Sequence, residues 1–302
     1  SSLAMGDAQE AVRLYSKRRS TFAQLFDSRM AESLARSGQR EQAASVWLGA
    51  SLAQPWNVQH LLLLHDLAAG VRQETAPLGE KLVILLYSFN NQHEIDNTLS
   101  SLAGTELQGA RIIALDNGSS DGTGRVMHKW QDQLGAERME VVELPVNVGA
   151  PGARNWLMAL DAVRESDFVA YLDDDVELSS DWLGKLGAAV ERYPEAGVWG
   201  CKVVDHAEPL RIQCAETALL PAQEGMPSLS MWALHEGAPD VGRFDYMRPS
   251  ASVTGCCHLF RSERLLETGP FDIRFSPTQF DDLDRDLRMV GKGRYAVYTG
   301  HM

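Results

Sequence analysis

Three adjacent carboxylates, Asp173-Asp174-Asp175, close an apolar run at residues 168–172. Side by side they repel one another unless a cation sits among them. In an extended segment residues i and i+2 point to the same side, so Asp173 and Asp175 can share one ligand. Hard oxygen donors of this kind suit Mg2+ or Mn2+ bridging to phosphate oxygens. A solvated acidic turn is the plain alternative, and the apolar run leading into the triplet argues against it. A calcium loop of the EF-hand type fails, because its sixth position lacks a Gly. Asp116 ends a second apolar run, and Asn117-Gly118-Ser119 after it makes a good turn. The same three residues fit a glycosylation acceptor, a match we read as accidental. Asn147-Val148-Gly149-Ala150-Pro151-Gly152-Ala153-Arg154-Asn155 is a Gly-rich turn entering a helix, where backbone N–H groups and Arg154 suit a diphosphate. No GxxxxGK[ST] and no strand-linked GxGxxG occurs, so phosphate-loop NTPase and dinucleotide readings lack their fingerprints. Asp281, Asp282, Asp284 and Asp286 form an acidic run near the end, either a solvated helix face or a source of a base. Cys256 and Cys257 lack an evident basic partner and read as wall packing rather than as nucleophiles.

The elements that must hold these residues follow from hydrophobic period. Residues 82–87 are a continuous apolar strand of the kind buried on both faces in parallel sheets. Ile95, Leu99 and Leu102 recur at helical spacing, 111–115 make a second strand, and Val126, Met127, Trp130 and Leu134 share a helix face. Residues 140–144 and 168–172 supply a third and fourth strand, with Pro151 suited to the first turn of the helix between them. This alternation predicts an open, mostly parallel sheet covered on both sides by helices. Such sheets take ligands at the C-terminal ends of their strands, where Asp116 and the Asp173–Asp175 triplet fall.

The first 70 residues differ in texture. They are rich in Ala, Leu, Gln, Arg and Ser, with apolar positions at helical spacing: Leu14, Phe22, Leu25, Phe26, Met30, Leu34, Ala43, Trp47 and Ala50, then Leu61 to Leu64. Residues 31–55 resemble one tetratricopeptide unit, although solenoids usually need three or more. A small helical bundle or a partner-binding arm, with self-association among its uses, are the two readings. Residues 71–80 read as a linker, which sets a helical region at 1–75 and an α/β domain at 80–302.

The chain has 302 residues, 28 Lys and Arg against 41 Asp and Glu, and a net charge of −13. That length suits about two domains. The acidic balance argues against a nucleic-acid binder, which needs a basic face. The longest apolar runs fall far short of the ~20 residues of a membrane span. The N-terminus lacks the basic and apolar regions of a signal peptide. Four cysteines without CxxC spacing point to a reducing, cytoplasmic home.

Taken together, the motifs resemble family 2 glycosyltransferases of the GT-A fold. Residues 82–102, Asp116-Asn-Gly-Ser-Ser-Asp-Gly-Thr123, Asn147 to Asn155 and Tyr171-Leu-Asp-Asp-Asp175 stand in that family's order. Thr254-Gly-Cys-Cys-His-Leu-Phe-Arg261, Gly269-Pro-Phe-Asp272 and Phe280-Asp-Asp-Leu-Asp284 resemble its acceptor-side half. The resemblance covers about residues 81–302. It implies an inverting, metal-dependent transfer from a nucleotide-diphosphate sugar (UDP, GDP or dTDP type) to a carbohydrate, lipid-linked or protein acceptor, in glycan or polysaccharide assembly. Tyr87, Ser88, Phe89, Glu94, Asp116, Asn117, Asn147, Gly149, Arg154, Asp173, Asp174 and Gly255 would line the donor side, with Asp116 at the base. Asp173, Asp175 and His301 would hold Mn2+ or Mg2+, and Asp282 or Asp281 would be the general base. Two departures stand out: Asp281 replaces the usual Glu, and Tyr87 stands where the family usually has Pro. A sugar-nucleotide nucleotidyltransferase is disfavoured because residues 88–94 lack its basic Gly-rich signature. A degenerate, non-catalytic binding module is disfavoured by the intact acidic positions. Trp232, His235, Phe244 and Tyr246 suit either sugar stacking or core packing.

Overall fold

The computed structural model describes residues 12–13, 27–79, 81–207, 210–220, 225, 230–232 and 235–302. Expected helix positions Leu14, Phe22, Leu25 and Phe26 and the side chain of Trp232 lie outside the described residues. The N-terminal helices are α1 (residues 27–36 as described), α2 (Arg40–Ala53) and α3 (Val58–Ala69). Alternating elements follow: β1 (Leu82–Ser88), α4 (Gln92–Ala103), β2 (Arg111–Asp116), α5 (Thr123–Leu134), β3 (Met139–Glu143), α6 (Ala150–Met158), α7 (Asp161–Arg164), β4 (Phe168–Leu172), α8 (Trp182–Arg192) and β5 (Val198–Cys201). Four short strands come next, β6 (Val203–Val204), β7 (Ile212–Cys214), β8 (Ala218–Leu220) and β9 (Ser230–Trp232). The chain ends with β10 (Met247–Ser250), β11 (Cys257–Arg261), α9 (Ser262–Thr268), α10 (Asp281–Gly291) and β12 (Ala296–Thr299).

Two compact units result. The larger takes in Thr75–Cys201 and Pro249–Tyr298, the smaller Ser1–Glu74, Lys202–Arg248 and Thr299–His301. The sheet runs in the order β10-β12-β5-β11-β4-β1-β2-β3. β1 pairs in parallel with β2 and β4, and β2 with β3, whereas β11 runs antiparallel between β4 and β5. Ile84, Leu85, Leu86, Ile112, Ile113, Ala114, Leu115, Val169, Ala170 and Leu172 are fully buried. Continuous apolar strands make a two-sided core of this kind. The register sets Ser88 opposite Asp116 and Leu86 opposite Leu172, so three strand ends stop at one edge. Ile95, Leu99 and Leu102 seal α4 onto the sheet with no exposure. Residues 75–79 join the larger unit's core: Ala76 and Leu78 are buried, and the Ala76 N–H donates to the Gly184 carbonyl at 2.9 Å.

In the smaller unit α2 packs on α3 through Ala43, Trp47, Ala50 and Leu63. Buried Asp245 binds this helical part to the 202–248 segment: it accepts from Arg36 Nη2 at 3.1 Å, Arg72 Nη2 at 3.0 Å and Lys202 Nζ at 2.5 Å. Glu32 joins the same network through Arg36 and Arg72. His235, Phe244 and Tyr246 are buried and meet ring to ring, so of their two readings core packing prevails. The four cysteines carry free thiols. Among the described residues no helix is long and apolar enough to cross a membrane.

Candidate active site at the strand ends of the larger unit

β4 ends at Leu172, and the chain passes through Asp173 into a turn at Asp174 and Asp175, not the extended segment expected for the triplet. The Asp174 carboxylate accepts from Ser88 Oγ, while its carbonyl and that of Val176 accept from Thr98 Oγ1 at 2.9 and 3.0 Å. Asp174 therefore ties the loop to β1 and α4, and burial holds its carboxyl above the usual range. Asp173 Oδ1 accepts from the Tyr87 hydroxyl and from Arg154 Nη2, both at 3.3 Å. Asp175 is exposed, and partial burial together with the Asp173 charge raises its affinity for a proton. Glu94, in the first turn of α4, adds its charge to the same carboxyl.

Asp116 is buried at the end of β2 and accepts the Ser119 N–H at 2.9 Å. Its neighbour Asn117 is engaged by the protein. Its amide donates to Asn147 Oδ1 at 3.0 Å and accepts the Val148 N–H at 3.0 Å. Asn147 Oδ1 also accepts the Gly149 N–H at 2.8 Å. The turn into α6 is thus set by two amides, and Gly149 supplies the φ of +77° it needs. The Ala150 N–H, at the start of that helix, donates to the Pro277 carbonyl at 2.8 Å. Phe89 stays 44% exposed beside this edge of β1, a free aromatic face, while Ser88 is buried.

Arg154 is not at the loop surface but inside the unit, 5% exposed. Nη1 donates to Asp281 Oδ2 at 2.7 Å and Nη2 to Asp173, and the guanidinium lies 5.3 Å from the Tyr87 ring centre and 5.5 Å from that of Phe271. Burial works against its charge, but Tyr87, Asp173, Asp281 and Asp282 outweigh it and hold the group protonated. Burial, and then Asp173, push the Tyr87 hydroxyl well above its ordinary range. Asp281 and Asp282 open α10, where carboxylates meet the positive end of the helix dipole. Their environments differ. Asp281 is 2% exposed and ion-paired, whereas Asp282 is half-buried, accepting the Gly255 N–H on Oδ2 and the Leu283 N–H on Oδ1, both at 2.8 Å. One turn later Asp286 is fully buried and accepts Ser252 Oγ at 2.8 Å and the Val253 N–H at 3.0 Å. Burial depresses the proton affinity of His258, but its neighbour Asp286 more than restores it. This Asp286–His258 layer fixes the segment carrying Gly255.

Cys256 lies half-buried beside Asp173; burial first, then that carboxylate, push its thiol far up, which fits wall packing and no nucleophile. His301 belongs to the smaller unit. There its Nε2 lies 2.8 Å from Asp66 Oδ2, and its buried Nδ1 has no partner among the described residues. The larger unit therefore collects Tyr87, Ser88, Asp116, Arg154, Asp173, Asp174, Asp175, Gly255, Asp281 and Asp282, from motifs far apart in sequence. Phe271 and Phe280 stand in the quoted acceptor-side motifs without an assigned role, and Gln279 stands in none. Gln279 and Phe280 adopt φ of +86° and +66°, a conformation side chains avoid, just before the paired carboxylates. Their residue types carry no signal for it.

A parallel sheet with carboxylates gathered at its C-terminal edge defines an α/β domain built to take a ligand in the crevice above its strands. The family profile "Glycosyl transferase family 2" matches residues 83–263, more than half of the chain. The chain belongs to glycosyltransferase family 2. It is similar to the poly-β-1,6-N-acetyl-D-glucosamine synthase of Staphylococcus epidermidis, 29% identical over 120 residues that make up 36% of this chain and 27% of that protein. In structure it is similar to the mannosyltransferase PcManGT from Pyrobaculum calidifontis, solved in complex with GDP-Man and Mn2+, at a TM-score of 0.51 and 17% identity over 86% of this chain and 66% of that one. It is also similar to GalNAc-T7, solved with UDP, GalNAc and Mn2+, at a TM-score of 0.56 and 13% identity over 72% and 41% of the two chains. At such identities the likeness shows the fold, which is the mostly parallel GT-A sheet with flanking helices that the motifs imply. The chain spans about a quarter of the curated relative's length and under two thirds of either solved chain.

Proposed function

We propose that this chain is an inverting, divalent-metal-dependent glycosyltransferase that moves a sugar from a nucleoside-diphosphate donor to an acceptor hydroxyl. The observation that carries the reading is the network Asp173–Arg154–Asp281, which sets Asp282 beside the strand-end carboxylates. GDP-Man with Mn2+ in one structural neighbour and UDP with Mn2+ in another support the donor class.

The donor set fits a divalent cation. Asp173 and Asp175 are two hard carboxylates, and among the described residues no group of three or more His, Cys, Asp or Glu side chains is placed to hold a metal ion. Mg2+ and Mn2+ bind by one or two carboxylates and take their remaining ligands from water and phosphate oxygens. When bound, such an ion supplies Lewis-acid stabilisation of the departing diphosphate.

The chain's own residues do the rest. Asp116 meets the nucleotide base at the end of β2, and the turn at Asn147 to Ala150 shapes the wall next to it. Asp282 accepts the acceptor hydroxyl's proton as that oxygen bonds to the anomeric carbon and the bond to the diphosphate breaks. The attack comes opposite the leaving group, so configuration inverts. Asp281 is 2% exposed with Oδ2 bound to Arg154, so the half-buried Asp282 is the carboxylate of the pair that an acceptor can reach. The test is a screen of UDP-, GDP- and dTDP-sugars with Mn2+ or Mg2+ for released nucleoside diphosphate. Asp282→Asn should then keep nucleotide binding within about threefold and lose about 10²–10⁴-fold in transfer. Normal turnover by Asp282→Asn refutes the base assignment.

A further inference from the structure

Arg154 offers an incoming diphosphate little. A phosphate-gripping guanidinium needs N–H groups facing open space, yet both of its terminal nitrogens hold carboxylates of the chain and the group is buried. Tyr87 and Phe271 flank its plane, and the Tyr87 hydroxyl makes a second contact to the same Asp173 oxygen. Gly255 leaves it room, since a methyl there would lie 2.7 Å from Nη2 and 3.0 Å from Asp282 Oδ2. One rigid cation therefore touches Asp173 at the strand end on one arm and Asp281, the first residue of α10, on the other.

We infer that Arg154 is a positioning residue that joins Asp173 to Asp281 and, by neutralising Asp281, leaves Asp282 to take the proton. This rests on the transferase reading above and deepens it. A planar fork can hold two carboxylates at a fixed separation, which the point charge of a lysine cannot. Remove the cation, and Asp281 becomes a buried unpaired charge next to Asp282, so the start of α10 shifts. Remove that charge as well, and the cause of the shift is gone.

The experiment compares wild type, Arg154→Met, Asp281→Asn and the double variant on the full chain. It reads kcat and donor KM with the sugar nucleotide found by the screen, and calorimetric Kd for GDP and UDP with Mn2+. Arg154→Met should lower kcat about 100-fold while nucleotide Kd stays within about threefold, because Tyr87 still holds Asp173. Adding Asp281→Asn should restore at least about tenfold of that loss. If Arg154→Met does not fold, Arg154→Lys serves in its place, with kcat down about tenfold at unchanged Kd. A rise in Kd and donor KM with kcat preserved makes Arg154 a diphosphate ligand and overturns the inference, as does a double variant no better than Arg154→Met. A wild-type chain that turns over no sugar nucleotide and binds neither diphosphate overturns the transferase reading along with it. Wild-type turnover without the rescue overturns the positioning role alone.

Discussion

Replacing Gly255 by Ala tests the tightest spacing in the site. The added carbon would sit 2.7 Å from Arg154 Nη2, 3.0 Å from Asp282 Oδ2 and 3.3 Å from Asp282 Cβ. Carbon contacts are comfortable at about 3.5 Å, so the guanidinium or the segment must give way by roughly 0.8 Å. Arg154 has no cheap retreat. Its Nη1 is held by Asp281, its plane by Tyr87 and Phe271, and its backbone carbonyl accepts the Tyr171 hydroxyl at 3.0 Å. If the segment moves instead, the Gly255 N–H leaves the Asp282 carboxylate. Overpacking of this kind costs about 1–3 kcal/mol, and a misplacement near 1 Å costs about 10²-fold in rate. Urea unfolding should therefore show a loss of about 1–3 kcal/mol, and kcat should fall about 100-fold with GDP or UDP affinity nearly kept. Gly291→Ala is the matched control, because a methyl there meets nothing within 4 Å. Wild-type kcat in Gly255→Ala would show that the Arg154–Asp282 spacing does not matter and would refute the reasoning.

Asp175→Asn removes one of the two strand-end carboxylates, so Mn2+-dependent affinity for GDP or UDP should drop at least about tenfold by calorimetry; unchanged binding places the ion elsewhere. Asp245→Ala takes one carboxylate from each of Lys202, Arg36 and Arg72, which keep Asp240 and Glu32, and should cost about 1–3 kcal/mol of unfolding free energy. Burial raises the proton affinity of Asp245, but Lys202, Arg72 and Arg36 outweigh it and hold the carboxyl below its ordinary value. The stabilisation is therefore present above about pH 4 and lost as pH falls below it, and Asp245→Ala should flatten that acid limb in urea titrations. An acid limb identical in both proteins would exclude Asp245 as its source.

The parallel half of the fold is legible because buried strands cannot hide their composition. Residues 82–87, 112–115 and 168–172 are continuous apolar runs, and each becomes a strand at or within one residue of those bounds. The third strand sits one residue earlier than expected, since Met139 is the buried partner of Ile112 and the Leu144 N–H turns to the Asp116 carbonyl. The antiparallel entry of β11 between β4 and β5 is a pairing of distant segments, and no local pattern encodes it. The same holds for segment 202–248. Its charges, read singly, look like surface, yet Asp245 meets Arg36 across 209 residues and Arg72 across 173. Aromatic side chains at 235, 244 and 246 gave two readings because stacking and packing use the same rings; only their burial separates them.

At the site, residue types were readable and their pairings were not. The i, i+2 rule holds for extended backbone, but β4 ends at Leu172 and Asp174 and Asp175 stand in a turn, so the engagement of Asp174 by Ser88 is a pairing the rule does not give. Asn117 and Asn147, which the family resemblance puts on the donor side, hold each other and the turn at Gly149, a pairing their types do not announce. Asp281 and Asp282 are chemically identical neighbours, so nothing in their order says which is buried and ion-paired. The distinction comes from a cation 127 residues away and from a backbone amide at Gly255, 27 residues away. Positive φ at Gln279 and Phe280 turns the chain sharply enough to bury the first carboxylate against Arg154 while leaving the second half-open. Such strain persists only where surrounding contacts over-determine it. Here they include the Asp281–Arg154 ion pair and the seating of Asp282 on the amides of Gly255 and Leu283. The difference in burial and partners between the two carboxylates is therefore a property of the fold, and a variant that keeps both aspartates while losing the cation should lose that difference.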